Sequence, residues 1–346
     1  MATISLPAGC VTGVGSLPFT DAVAAVDFVA QHCPQLPFWP QLPRRCTKEA
    51  MITQVLGALS QYLEPAGQPF CWSIPEAHEA TFAKALRDDT AALVPETAGG
   101  FFEFERRLRA NHFANAAGIK AQFVGPLTLA HCLFSHGKSL AGQPGWLELI
   151  TGYISRQAVW QIQRLQQGRQ PIVLVVDEPI VGHFPGSGTP SGGSGQQSNA
   201  FVEAIECVLQ SIRNAGAIAG LHCCAPLPIP IIEHLSIDYL SFDAHLVQDV
   251  GGLVRLSRQI LDRGGLLAFG LIPTTLVPVL NDVPALTSQW GDLASNINDV
   301  RNVARRTLVT ATCGIGSGTL EHAKQSFQIA AEVGNSIRTQ SGLTSI

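Results

Sequence analysis

Pro171-Ile172-Val173-Leu174-Val175-Val176-Asp177-Glu178-Pro179 decides the fold of this chain. An aliphatic run continues without polar interruption until two carboxylates and a proline end it. Such a run suits a parallel strand buried on both faces; a half-solvated antiparallel strand would alternate. Alternation sends Asp177 to the side of Val173 and Val175 and Glu178 to the other. Two carboxylates ending an apolar strand must be solvated, paired or liganded.

Similar runs recur on either side. The segment Cys10 to Pro18 predicts a first strand ending in a Gly15-Ser16 turn, and Leu36 to Leu42 a second, interrupted by Pro37 and Pro40. Ile119 to Val124 predicts a third, and a run from Ala215 leads to Gly220-Leu221-His222-Cys223-Cys224-Ala225-Pro226. Tyr239 to Asp243, Leu266 to Ile272 and Thr307 to Cys313 complete eight. Helical patterns lie between them: Ala22 to Gln31 behind an Asp21 cap, then Thr47 to Tyr62, Glu76 to Leu93 and Phe101 to Ala116 in the N-terminal half. Further helices are expected over Gly145 to Gln167, Asn199 to Asn214, Gly251 to Arg263, Gln289 to Arg306 and Glu321 to Ile337. The Gly/Ser-rich tract Gly182 to Ser198 reads as a flexible loop, because the strand–helix rhythm resumes at once.

Eight strands alternating with helices argue for an α/β protein, a single (β/α)8 TIM barrel over residues 1–346 with extra helices in its N-terminal half. A doubly wound open sheet is the alternative. The placement of polar residues favours the barrel: Ser16, Asp177, Glu178, His222, Cys224, Asp243 and Cys313 all fall at the C-terminal end of a strand. That is the face where barrel active sites form.

Composition narrows the function. The chain has 346 residues, 46% hydrophobic and only 14% charged, with a net charge of −4. No Lys/Arg run suggests nucleic acid, and the apolar runs are too short and broken to cross a membrane. Nine cysteines without regular spacing fit reduced thiols and a cytoplasmic location, not a disulfide framework.

His222 and Cys224 share one side of a strand, with Cys223 on the other. An imidazole and a thiolate side by side, with Cys313 arriving from the last strand, make a three-ligand zinc site that leaves a position for substrate. Asp243, or His245 two residues on, is a candidate fourth ligand; for Asp243 a helix cap or a hydrogen bond to His222 is an equal reading. Soft sulfur ligands favour zinc, and zinc binds a thiol as thiolate at neutral pH, where a free thiol is protonated. Asp177 or Glu178 suits a substrate ammonium, and exposed N–H groups at Gly15-Ser16 suit a carboxylate. Arg44 and Arg45 follow the second strand and offer an anion contact or solvated surface charge.

Four stretches resemble the catalytic C-terminal barrel of cobalamin-independent methionine synthase, within the wider group that includes uroporphyrinogen decarboxylase and methylcorrinoid:thiol methyltransferases. Val14-Gly15-Ser16-Leu17-Pro18-Phe19-Thr20 is similar to that family's Ile-Gly-Ser-Phe-Pro-Gln-Thr, and Val176-Asp177-Glu178-Pro179 to its Ile-Asp-Glu-Pro. Leu221-His222-Cys223-Cys224 resembles its His-Met-Cys, and Thr312-Cys313-Gly314-Ile315 its Asp-Cys-Gly-Leu. The resemblance implies zinc-dependent methyl transfer to a small thiol such as homocysteine. His222, Cys224, Cys313 and Asp243 would be the zinc ligands, and Gly15, Ser16 and Asp177 would hold the amino-acid part. The family's Asn-Gly-Glu-Pro-Glu-Arg-Asn-Asp-Met segment and its second barrel have no counterpart here. After the seventh strand the family has an acid–base histidine; this chain reads Gly270-Leu271-Ile272-Pro273-Thr274-Thr275. Folate leaves as a protonated amine, so the missing acid points to a methylcorrinoid donor, with a corrinoid protein as partner. A non-catalytic zinc- or corrinoid-binding barrel and a decarboxylase-like lyase are the alternatives.

Overall fold

The computed structural model describes residues 4–88, 91–143, 145–183, 195–274 and 282–343. Seven parallel strands form one curled sheet: β1 (Cys10–Val11), β2 (Ile119–Val124), β3 (Ile172–Asp177), β4 (Ile218–Cys223), β5 (Tyr239–Asp243), β6 (Leu266–Ile272) and β7 (Thr307–Ala311). The spatial order is β1-β7-β6-β5-β4-β3-β2. The strand read first from the sequence is central to the site: β3 pairs with β2 on one side and β4 on the other, placing Asp177 opposite Val124 and His222.

Between β1 and β2 the segment 36–42 takes the eighth position. Ser16 bridges Gln41 and Phe38 bridges Lys120, both in parallel sense. Gln41 N–H donates to the Gly15 carbonyl, Leu17 N–H to that of Gln41, and Lys120 N–H to that of Pro37. The expected strand Leu36 to Leu42 is thus present as a path but not as a ladder. Its prolines lack the N–H groups that a continuous ladder needs. The result is the TIM-barrel architecture expected from the sequence.

The barrel interior explains the apolar runs. All six residues of β2, β3 and β4 are buried. Helices cover the outside. Asp21 caps Ala22–His32 by accepting from Ala24 N–H at 2.7 Å. The long helix expected over 47–62 is instead a 3-10 turn (Thr47–Glu49), a short α-helix (Met51–Leu56) and a second 3-10 stretch (Gly57–Tyr62). Gly57, at φ +52°, makes the break. The pattern over 289–306 divides likewise into Val283–Ile297 and Val300–Ala304, where Asp299 starts the second helix by accepting from Arg301 N–H.

A second sheet of four short strands is new relative to the sequence reading: Glu64–Pro65, Trp72–Ser73, Leu133–Ser135 and Lys138–Ser139. The helix that follows the Gly/Ser-rich tract spans Gly195–Asn214, four residues longer at its start than expected. Residues 184–194 of that tract lie outside the described residues. No helix among the described residues is long and apolar enough to cross a membrane. All nine cysteines are free thiols.

Candidate metal centre

Strands β3, β4 and β7 end at one cavity of about 590 Å³, lined by Asp177, His222, Cys224 and Cys313 among others. His222 and Cys224 line it together, while Cys223 is 1% exposed on the core side, as alternation requires. One ligand atom from each of His222, Cys224 and Cys313 lies within 4.8 Å of the other two. Cys313 arrives two residues beyond the last residue of β7.

The imidazole is held in one orientation. His222 Nδ1 is 2.9 Å from Ser241 Oγ, and Ser241 is its register partner on β5. Nε2 is buried and has no hydrogen-bond partner. With Nδ1–H directed to the hydroxyl, Nε2 carries the free lone pair that a metal needs. The two thiols are unequal. Hydrogen bonding with Cys224 pulls the Cys313 thiol well down, against burial and with help from His222; the same contact and burial push Cys224 up. Such a pair releases its shared proton when a soft dication takes the proton's place. An orphaned ring nitrogen and two sulfurs on an apolar scaffold could hold a soft divalent metal ion.

The other expected residues separate into those at the cavity and those apart from it. Asp177 is 6% exposed and its Oδ1 has no partner. Burial pushes its carboxyl up to about 6, while His222 and Lys120 pull it down. Ser16 lines the cavity and its Oγ accepts from Gly316 N–H at 3.3 Å. Gly15 sits behind it; a Cβ there would come within 2.7 Å of Gln41 Oε1 and 2.8 Å of Gln122 Cγ. Glu178 does not line the cavity. It is fully buried and accepts from Leu127 N–H, Thr128 N–H and Thr128 Oγ1, capping the helix Pro126–Cys132. Asp243 stands outside the group of three; its Oδ1 accepts from His245 N–H and caps the turn Ala244–Leu246. His245 Nε2 contacts the Leu271 carbonyl at 2.9 Å, and its Nδ1 faces Gln289. Arg44 lines the cavity rim, whereas Arg45 pairs with Glu49.

Several cavity residues had no signal in the sequence reading. Glu49 is buried, lines the cavity, and keeps Oε2 unpartnered while Oε1 takes Arg45 and Gly99 N–H. Met51 and Phe70 give an apolar wall; Phe70 is 77% exposed at φ 62°. Ser241 and Lys120 were legible in principle, being polar residues inside apolar strand runs. A larger cavity of about 1,040 Å³ opens at the opposite, N-terminal end, around Arg305, Arg306 and Arg338, away from His222, Cys224 and Cys313.

No family model matches the chain, and no curated protein matches it. Among solved structures, a B12-independent methionine synthase from Shewanella sp. W3-18-1 in complex with selenomethionine is similar over 68% of this chain and 67% of that one, at 13% identity and a TM-score of 0.47. A Bacteroidetes-affiliated GH5 cellulase is similar over 72% and 77%, at 12% identity and a TM-score of 0.43. A psychrophilic family 10 endo-β-1,4-xylanase is similar over 76% and 87%, at 11% identity and a TM-score of 0.38. What the site can do therefore rests on its own geometry.

Proposed function

We propose that the chain is a zinc-dependent methyltransferase whose acceptor is the thiol of a small amino acid, homocysteine or a close relative. The observation that carries this reading is the meeting of a His222 ring nitrogen with the sulfurs of Cys224 and Cys313 at the floor of an open cavity. Zinc, when bound there, holds the acceptor sulfur as a thiolate and so supplies the nucleophile at neutral pH.

The chain's own residues do the rest. Ser241, hydrogen-bonded to Nδ1, holds the His222 ring in place. Asp177 Oδ1 and Glu49 Oε2 are unpartnered carboxylate oxygens on the same cavity, a match for an ammonium with several N–H groups. Val14 and Ser16 line the cavity beside Cys313 and Gly314, and the backbone there suits the carboxylate. Met51, Phe70, Pro43 and Pro179 give an apolar wall that keeps water from the sulfur and accommodates the methylene chain. In the transfer the sulfur lone pair forms the new S–CH3 bond, and the electron pair of the broken bond stays with the donor.

The donor is a methylcorrinoid, presented at the cavity mouth. The sequence that follows β6, residues 273–281, carries no histidine to protonate a folate amine. A cavity of about 590 Å³ also takes a small amino acid more readily than a whole corrinoid, which supports donation from outside, by a corrinoid protein.

Purified protein loaded with zinc is expected to hold about one metal per chain, and Cys224→Ser to lose it, by elemental analysis. Methylcobalamin with homocysteine should then lose its methyl-form absorbance, and Cys313→Ser should abolish the change. Equal and low zinc in both proteins would defeat the reading. Tight zinc binding with no turnover on either methylcobalamin or methyltetrahydrofolate would make the barrel a metal-binding protein instead.

A further inference from the structure

Lys120 is a buried lysine in the barrel interior that the proposed reaction does not use. It is 1% exposed on β2 and close enough to Asp177 to pull that carboxyl down. Its Nζ donates to the Val14 carbonyl at 2.8 Å and to Gln122 Oε1 at 3.0 Å, and lies 5.9 Å above the Phe38 ring. Gln122 passes the contact on by donating to the Trp39 carbonyl at 2.9 Å. The ammonium is therefore tied to both segments that close the barrel, the turn after β1 and the path through 36–42.

The Val14 carbonyl belongs to the same peptide unit as the Gly15 N–H. Among the described residues, neither the Gly15 N–H nor the Ser16 N–H has a hydrogen-bond partner; their neighbours in the bridge to Gln41 use the Gly15 carbonyl and the Leu17 N–H. A cation on the carbonyl oxygen polarises the peptide and strengthens its N–H as a donor. The charge balance points the same way. Asp177 and Glu49 put carboxylates on the cavity wall; Arg45 offsets Glu49, and Lys120 is the cation that offsets Asp177. Arg44 sits at the exposed rim. Lys120 is the buried cation that lies beneath the Gly13–Ser16 turn.

We propose that Lys120 is a positioning residue for substrate carboxylate: from beneath, it holds and polarises the Val14–Gly15 peptide, so that an otherwise anionic cavity accepts the carboxylate of an amino-acid thiol. This role rests on the cavity being an amino-thiol site. It assigns specificity to a residue that touches neither metal nor substrate. It also states which thiols are selected, namely those carrying a carboxylate next to the amine.

The test is calorimetric titration of zinc-loaded protein with L-homocysteine and with 3-mercaptopropylamine, which has the same thiol and amine but no carboxylate. Wild-type protein should prefer homocysteine. Lys120→Gln keeps a neutral donor for the Val14 carbonyl, and Lys120→Met removes it. Both variants should bind about one zinc, and homocysteine should weaken about tenfold more than 3-mercaptopropylamine, whose own change reports only the altered hold of Asp177 on the ammonium. If Lys120→Met does not fold, the Gln variant alone carries the comparison. Equal weakening of both thiols, or unchanged homocysteine affinity, overturns the role of Lys120 and leaves the metal reading intact. Wild-type protein that binds zinc but neither thiol overturns the reading of the cavity and this role with it.

Discussion

At the scale of the residue, His222 is defined less by its ring than by the hydroxyl beside it. Ser241 engages Nδ1 and leaves Nε2 buried without a partner. Ser241→Ala is expected to weaken zinc binding by about 10- to 100-fold, measured by competition with a chromophoric chelator, while leaving the fold in place. Unchanged affinity would mean that the ring is oriented by packing alone. The cluster itself was legible: a His-x-Cys at a strand end and a late cysteine before Gly314 were enough to bring three residues together. Ser241 was not singled out: a serine inside an apolar strand run is a signal, but only register places it opposite His222. The expected role of Asp243 as ligand met local geometry that a sequence does not display. Its carboxylate is held by the very next turn, an arrangement that aspartate favours wherever a strand runs into a 3-10 helix.

At the scale of the element, the strand end Asp177-Glu178 separates two carboxylates by one peptide and sends them to different tasks. Glu178 caps the helix Pro126–Cys132 from inside the protein, where burial pushes its carboxyl from 4.5 up to about 7 despite three donated hydrogen bonds. Between those two values the folded protein keeps a proton that the unfolded chain has released. Stability from this group is therefore full below about pH 4.5 and falls as pH rises toward 7. Denaturant titrations should show Glu178→Gln flattening that decline; an identical pH slope in the variant would show that Glu178 ionises freely in the fold. Thr128→Val removes one donor to the same carboxylate and should cost about 1–3 kcal/mol at neutral pH. The turn after β7 is equally specific. A Cβ at Gly314 would lie 2.0 Å from Ser16 Oγ. Gly314→Ala should displace that serine and weaken thiol binding in the same titration without reducing zinc content.

At the scale of the whole molecule, the barrel depends on a segment that is barely a strand. Phe38 is fully buried, stacks with Phe327 at 6.3 Å, and occupies space that a side chain at Gly13 would need. Phe38→Ala should lower stability by about 3–5 kcal/mol and loosen the seam between β1 and β2, seen as faster amide exchange at Leu17 and Lys120. The overall architecture was readable because buried parallel strands write themselves as long apolar runs ending in polar residues. The four-stranded accessory sheet was not, since strands of two or three residues are too short to carry a period. Nor was Glu49, which reaches the cavity from a 3-10 turn whose sequence shows only that it is polar. The account stands on strands distant in sequence delivering two sulfurs and one nitrogen to a metal that still has room for a substrate sulfur. Zinc X-ray absorption on the loaded protein, before and after homocysteine, tests this most directly. The account predicts two sulfur neighbours near 2.3 Å and one imidazole nitrogen near 2.0 Å, with a third sulfur appearing when homocysteine is added. A sulfur count that stays at two, with homocysteine present in saturating excess, would contradict it.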